Sequence, residues 1–410
     1  MSRESVRASL LGQLDAITSP QGAMDFQRRL AGELLSAEPD KSPDADWHRH
    51  LLRLMADALA WKVLSRHTIR ELARDRQRPP SLTGQGADFD FVLEVAEQIA
   101  RDGVMPIVCD LTHLLGVGDI VVATAGAISI IECKNTQLPA GWNPRGRHLR
   151  QLQRQARASG YLARGHAPAG EQTGISIDVA EPRRCDEELR DCVERARSSE
   201  RGYAVAELGE RDFLLAKWDR GLALEDSMPR IDHEDWQYSA GGGSATATDN
   251  PGPFTANPFD LPLPSDARLA IVEGDLLLFR MVDLAPLCWH DQAGGTSVEI
   301  YKKGGGPHLS AQLGGRTPQL SDRFIDQILL DFRTVADTQA QIKAMLSATA
   351  ELGSLPLPER EQLASPEIRT MASFAFRNPD GSGDPVLISE LREFTNLDVS
   401  IRLEESPPDE

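Results

Sequence analysis

The stretch that decides the fold runs Gly118-Asp119-Ile120-Val121-Val122-Ala123-Thr124, then Ala125-Gly126, then Ala127-Ile128-Ser129-Ile130-Ile131-Glu132-Cys133-Lys134-Asn135. Two runs rich in β-branched residues, Asp119 to Thr124 and Ala127 to Cys133, are separated by two residues, short enough for a hairpin loop. Side chains alternate along a strand, so Glu132 and Lys134 point to the same face. Asp119 opens the preceding strand and can lie beside Glu132. Two carboxylates and an ammonium therefore converge at one sheet edge. A lone Glu-x-Lys is common, and an ion pair at a strand end is its plain reading. Here both strands are strongly apolar, and charge at the rim of such strands is costly unless used or solvated.

Phosphodiester hydrolysis needs this set of groups. Two carboxylates bind a hard divalent cation through oxygen, and Mg²⁺ keeps several of its waters. The backbone carbonyl of Cys133 can add a further oxygen ligand. Lys134 can orient or deprotonate the attacking water, or offset charge in the transition state.

The pattern resembles the PD-(D/E)xK nuclease superfamily, the restriction-endonuclease-like fold, over about residues 85 to 216. Asp119, Glu132 and Lys134 match its two acids and its lysine in turn, with Gly118 in place of the proline. The resemblance implies an α/β fold with a mixed central sheet flanked by helices, and an Mg²⁺- or Mn²⁺-dependent endonuclease. It also implies DNA as substrate, with RNA as the alternative, and a role in bacterial defence or restriction. In such proteins the helix before the hairpin often adds an acid. Asp90, Glu94 and Glu97 share one helical face, and Glu94 is the first choice. Asp110 is a further candidate, equally readable as a turn residue. The helix after the lysine often presents a glutamine, and Gln151 and Gln155 are placed to do so.

Arginines supply a separate signal. Between Gly141 and Gly170 stand Arg145, Arg147, Arg150, Arg154, Arg157 and Arg164, with no acidic residue. Arg147, Arg150, Arg154 and Arg157 fall on one face of a helix expected over about Arg145 to Arg164. Such a stripe suits phosphate contact, though a basic face paired with acidic neighbours is the bland reading. The histidines form no metal cluster: His48 and His50 point apart on a helix, and His148 suits a surface position. Trp289-His290-Asp291 lacks a nucleophile, and Gly304-Gly305-Gly306 lacks the lysine of a phosphate loop.

Working outward, residues 1–78 read as helical, with Leu51, Leu54, Met55, Leu59, Val63 and Leu64 at helical spacing. The nuclease-like domain is expected over 79–235. It comprises a helix from Asp88 to Asp102, a strand from Val104 to Cys109 weakened by Pro106, and the hairpin. A strand from Gly174 to Val179, a helix from Glu187 to Ser198, and closing strands Tyr203 to Leu208 and Phe213 to Ala216 follow. A Gly- and Pro-rich linker is expected over 236–267, where Ala240-Gly241-Gly242-Gly243-Ser244 argues against regular structure. A C-terminal α+β domain, 268–410, should open with strands Ala270 to Val272 and Leu276 to Phe279. It should contain one long helix near Leu320 to Leu352 and close with Ser373 to Phe376 and Val399 to Leu403.

The 410 residues suit two or three domains. Basic and acidic residues number 44 and 62, a balance of −18, which argues against nucleic-acid coating by overall charge but not against a local basic patch. Five cysteines in no zinc spacing point to a reducing, cytoplasmic setting. The polar Met1 to Leu10 lacks a signal-peptide core, and no window is apolar enough to span a membrane. A homodimer or partner contact is expected through the N- or C-terminal region. The competing function is a non-catalytic nucleic-acid-binding or assembly module on a nuclease-like fold.

Overall fold

The computed structural model describes residues 2–64, 68–69, 72–73, 79–124, 127–137, 149–151, 153–155, 158, 182–218, 236–243, 257–291, 295–303, 306–313, 320, 323–354, 369–377 and 385–390. The chain divides into two compact units: Met1–Ser176 with Glu361–Glu410, and Ile177–Arg360. The second unit is thus an excursion from within the first.

In unit 1, helices α1 (Arg3–Asp15), α2 (Pro20–Ala37) and α3 (Pro43–Val63) come first. Ser2, Ser19 and Ser42 cap them by accepting from backbone N–H groups of the first turn. A single turn, α4 (Leu82–Gln85), leads into α5 (Ala87–Arg101), which ends where Gly103 adopts φ 83°. Strands β1 (Met105–Val108), β2 (Ile120–Thr124) and β3 (Ala127–Gln137) follow.

Unit 2 contributes α6 (Asp186–Ser198), β4 (Tyr203–Gly209), β5 (Asp212–Lys217), β6 (Ser239–Gly243) and α7 (Ser265–Glu273). Then come β7 (Leu277–Asp283), β8 (Trp289–Asp291), β9 (Thr296–Lys303), β10 (Gly306–Leu313), α8 (Arg323–Leu329) and α9 (Val335–Ser354). The chain returns to unit 1 with β11 (Arg369–Arg377) and β12 (Val386–Glu390).

The sheet of unit 1 has the order β1-β2-β3-β11-β12. It is mixed: β1, β2 and β3 are an antiparallel meander, β11 runs parallel to β3, and β12 is antiparallel to β11. Ile128 and Ile130 of β3 join Val121, Ile107 and Ala158 in one core cluster, together with Ala60, Leu64, Ile69 and Leu72. Helices α2 and α5 also pack against this sheet. Pro106 is compatible with β1 because β1 is an edge. Its carbonyl accepts from Gln27 Nε2 at 2.9 Å, and Gln27 Oε1 accepts from Val108 N–H at 2.8 Å. The absent N–H of Pro106 therefore falls on the outer side, where no strand pairs.

Unit 2 holds the sheet β4-β5-β7-β6 and the three-stranded β10-β9-β8. Arg280, fully buried, pairs both nitrogens Nε and Nη2 with Asp212 at 2.8 and 2.5 Å. Its Nη1 donates to the carbonyls of Ile328 and Arg333 at 2.6 and 2.7 Å.

Several sequence expectations are corrected. The segments Tyr203 to Leu208 and Phe213 to Ala216 do not close the sheet of unit 1; as β4 and β5 they pair in unit 2. The strand holding Ser373 to Phe376, assigned by sequence to the C-terminal domain, pairs with β3 instead. Its residues 373–376 are all buried, as an internal strand requires.

The glycine run expected as linker forms β6. A Cβ on Gly241 would stand 2.8 Å from Phe279, and one on Gly243 would stand 2.9 Å from the carbonyl of Leu278. Glycine is there for close approach, not for looseness. Residues Ala270 to Val272 are helical, within α7, which Gly274 ends in the left-handed conformation. The long helix breaks in two around Phe332, at φ 55°, where Arg280 engages carbonyls on both sides. The strand at Gly174 to Val179, that at Val399 to Leu403, Gly304, Gly305 and the linker over 244–256 lie outside the described residues.

Candidate active site

Asp119, Glu132 and Lys134 are brought together on one face. The register pairs Ile120 with Ile131, which sets Asp119 opposite Glu132. Asp119 N–H donates to the carbonyl of Ile131 at 2.8 Å, and Asp119 Oδ2 accepts from Cys133 N–H at 2.7 Å. By alternation, Asp119 shares the face of Val121, and Glu132 and Lys134 share that of Ile130, all facing the same cluster. Directly opposed side chains on neighbouring strands have Cβ atoms about 5 Å apart, the spacing at which two carboxylates can share one cation.

Gly118 makes this approach. At φ 77° it turns the chain into β2, and a Cβ there would lie 2.6 Å from Ile130 Cγ2 and 3.1 Å from the carbonyl of Ile131. No other residue fits without displacement, which explains why glycine precedes Asp119.

Glu132 is 6 % exposed. Its Oε1 accepts from Lys134 Nζ at 2.8 Å and from Gln151 Nε2. Gln151 Oε1 in turn accepts from Lys134 Nζ at 3.3 Å, closing a three-membered network. Burial, then repulsion from Glu132, pushes the Asp119 carboxyl up to about 8 against the opposing donation from Cys133 N–H. Burial likewise pushes the Cys133 and Cys109 thiols up, so neither is an activated nucleophile. All five cysteines are free.

A residue's N–H and C=O point to the same side of a strand. The Cys133 carbonyl thus faces the edge where its N–H meets Asp119. Asp119, Glu132 and that carbonyl make an all-oxygen donor set, which fits a hard cation retaining waters. Among the described residues no group of three or more His, Cys, Asp or Glu side chains converges to hold a metal.

Comparison of the chain with protein-family models, with curated proteins and with solved structures found no match.

The remaining candidates divide. Gln151 joins the site. Gln155, one turn on, is buried, with no hydrogen-bond partner for either amide atom among the described residues. Arg150 and Arg154 are exposed; Arg147, Arg157, Arg145, Arg164 and His148 lie outside the described residues.

Glu94 does not join Glu132. Its Oε2 pairs with Arg377 Nη1 at 3.2 Å. Arg377 follows Phe376, the partner of Lys134, and so alternates to the face away from Lys134; it also donates through Nε to Asn135. The helix that offers Glu94 thus meets the sheet on the side opposite the Glu132 carboxylate. Glu97 pairs with Arg28, and Asp90 is exposed.

Asp110 sits in the turn after β1. Its Oδ2 accepts from Gln85 Nε2 at 2.9 Å, Arg53 donates to its carbonyl, and burial pushes its carboxyl up. Sequence reasoning missed Gln85, Asn135 and Arg377. Arg377 had no signal because its strand partner lies more than two hundred residues earlier. Among the described residues no helix is long and apolar enough to cross a membrane.

Proposed function

We propose that this chain is a metal-dependent endonuclease hydrolysing phosphodiester bonds in DNA, on a restriction-endonuclease-like fold. The observation that carries the reading is the direct opposition of Asp119 and Glu132 across β2 and β3, with Lys134 two residues on and bonded to Glu132. Asp119, Glu132 and the Cys133 carbonyl would hold Mg²⁺ or Mn²⁺. A cation held there would supply Lewis-acid polarisation of a phosphate and would lower the pKa of water.

Gln151 fixes Glu132 through Oε1, leaving Oε2 for the cation. Lys134 keeps its ammonium at the carboxylate, from which it can donate to the attacking water or to a phosphate oxygen. The exposed Arg150 and Arg154, on the helical segment that carries Gln151, are suited to flanking phosphates. Service in bacterial defence remains part of the proposal by resemblance alone.

Calorimetric titration of the full chain with Mn²⁺ tests the reading. Binding to wild type, lost in Asp119→Asn and in Glu132→Gln, is the expected result. Equal binding by all three proteins would place the metal elsewhere and remove the assignment.

A further inference from the structure

We propose that Arg377 contacts a backbone phosphate of the nucleic acid beside the scissile bond, and that Glu94 holds its guanidinium in place until substrate arrives. This rests on the phosphodiester reading above and names a contact of that same site.

Strands β3 and β11 are parallel; Phe376 pairs with Lys134, and across a register shift Arg377 pairs with Gln137, the last residue of β3. Arg377 therefore stands at the carboxyl ends of two parallel strands, where ligands of α/β sheets bind. Lys134 pairs with Phe376, the residue before Arg377, so the two cations lie at the same end of the sheet, on opposite faces.

Three elements orient the side chain. Its Nε donates to Asn135 of β3, its Nη1 pairs with Glu94 of α5 at 3.2 Å, and its guanidinium lies 4.7 Å from the centre of the Phe91 ring. Two of the five guanidinium donors are used in this way, and the side chain is still 41 % exposed. A planar fork held this way suits the two oxygens of a phosphate.

The partners are unequal. Asn135 and Phe91 set direction without competing for charge. Glu94, itself 46 % exposed, is an anion at the place a phosphate would take. The exposed Arg150 and Arg154 lie on the segment that reaches Glu132 from one face of the sheet, whereas Arg377, next after the Phe376 that pairs with Lys134, turns to the other. A backbone crossing the end of β3 would therefore meet cations on both sides of Lys134.

The test is binding of a fluorescein-labelled DNA duplex to the full chain, in Ca²⁺, across a salt series. The proteins are wild type, Arg377→Gln, Arg377→Lys, Glu94→Gln and the Glu94→Gln/Arg377→Gln double variant. Arg377→Gln should weaken binding about tenfold at low salt and reduce the slope of log K against log salt by about one. Arg377→Lys should restore the slope. Glu94→Gln should tighten binding, and that gain should vanish in the double variant.

An unchanged salt slope in Arg377→Gln overturns the proposal, as does a Glu94→Gln gain that persists without Arg377. If Asp119→Asn abolishes cleavage while Arg377→Gln binds like wild type, this contact fails and the nuclease reading stands. If wild type neither binds nor cleaves any nucleic acid, both fall together.

Discussion

Replacing Gly118 by alanine should disturb the site more than any other single methyl group added to the described glycines of unit 1. Two costs add. A left-handed φ of 77° costs an L-residue about 1–2 kcal/mol. A Cβ 2.6 Å from Ile130 Cγ2 and 3.1 Å from the Ile131 carbonyl must push the entry of β2 off β3, an overpacking that costs about 1–3 kcal/mol. The expected total is about 2–5 kcal/mol.

Gly103 is the internal control. Its φ is 83°, yet nothing lies within 4 Å of its added Cβ. Gly103→Ala should therefore lose about 1–2 kcal/mol, the backbone cost alone. Urea denaturation of both variants measures the difference, and Mn²⁺ titration shows its consequence. Moving Gly118 moves Asp119, so Gly118→Ala should lose metal affinity while Gly103→Ala keeps it. Equal destabilisation by the two, with metal affinity intact in both, would refute the claim that close approach at Gly118 sets the position of Asp119.

Three further outcomes follow from the fold. Gln27→Leu should lose about 2–4 kcal/mol because the buried Val108 N–H and Pro106 carbonyl both lose their partner; a urea midpoint equal to wild type would show that water replaces the amide. Arg280→Met leaves Asp212 buried and unpaired and should cost about 3–5 kcal/mol, read as a lowered melting temperature, whereas an unchanged melt would mean the pair adds nothing. Stability should decline in acid. Burial of His48 lowers it to about 4 from 6.5, and donation from Leu82 N–H, Thr83 N–H and Ser81 holds Glu38 at about 2 against its burial. Both folded values are depressed. Each contribution is therefore complete above the ordinary value and lost as pH falls toward the folded one. Glu38→Gln should flatten the Glu38 part of the decline, between about pH 4.5 and 2, and cost about 1–2 kcal/mol at neutral pH after allowance for solvent screening. A pH–stability curve identical to wild type would contradict this.

The hairpin and the meeting of its charged side chains were legible because strand alternation is local: Asp119, Glu132 and Lys134 share a face by counting alone. Helix α5 was equally plain from its period and from Gly103. What could not be read was the strand beside β3. Parallel partners need a crossover, and here the chain passes through residues 177–360 before returning as β11. Local pattern therefore favoured the nearer β4 and β5, whose alternation looks the same but which pair with each other and, through β5, with β7. The glycines of β6 misled for a related reason, since only the neighbouring Phe279 and Leu278 distinguish close approach from looseness. Glu94 was misplaced because helical spacing gives the face of α5 but not the side of the sheet that α5 covers. Gln151 was found through a resemblance, and its bond to Glu132 gives that choice a geometric ground.

The most direct measurement is a cleavage assay on plasmid, linear duplex, single-stranded DNA and RNA, in Mg²⁺ and then Mn²⁺. Wild type should be compared with Asp119→Asn and Lys134→Met, each verified as folded by its melting curve. The account predicts metal-dependent cleavage of DNA by wild type and its loss in both variants. Cleavage that survives both substitutions would contradict it.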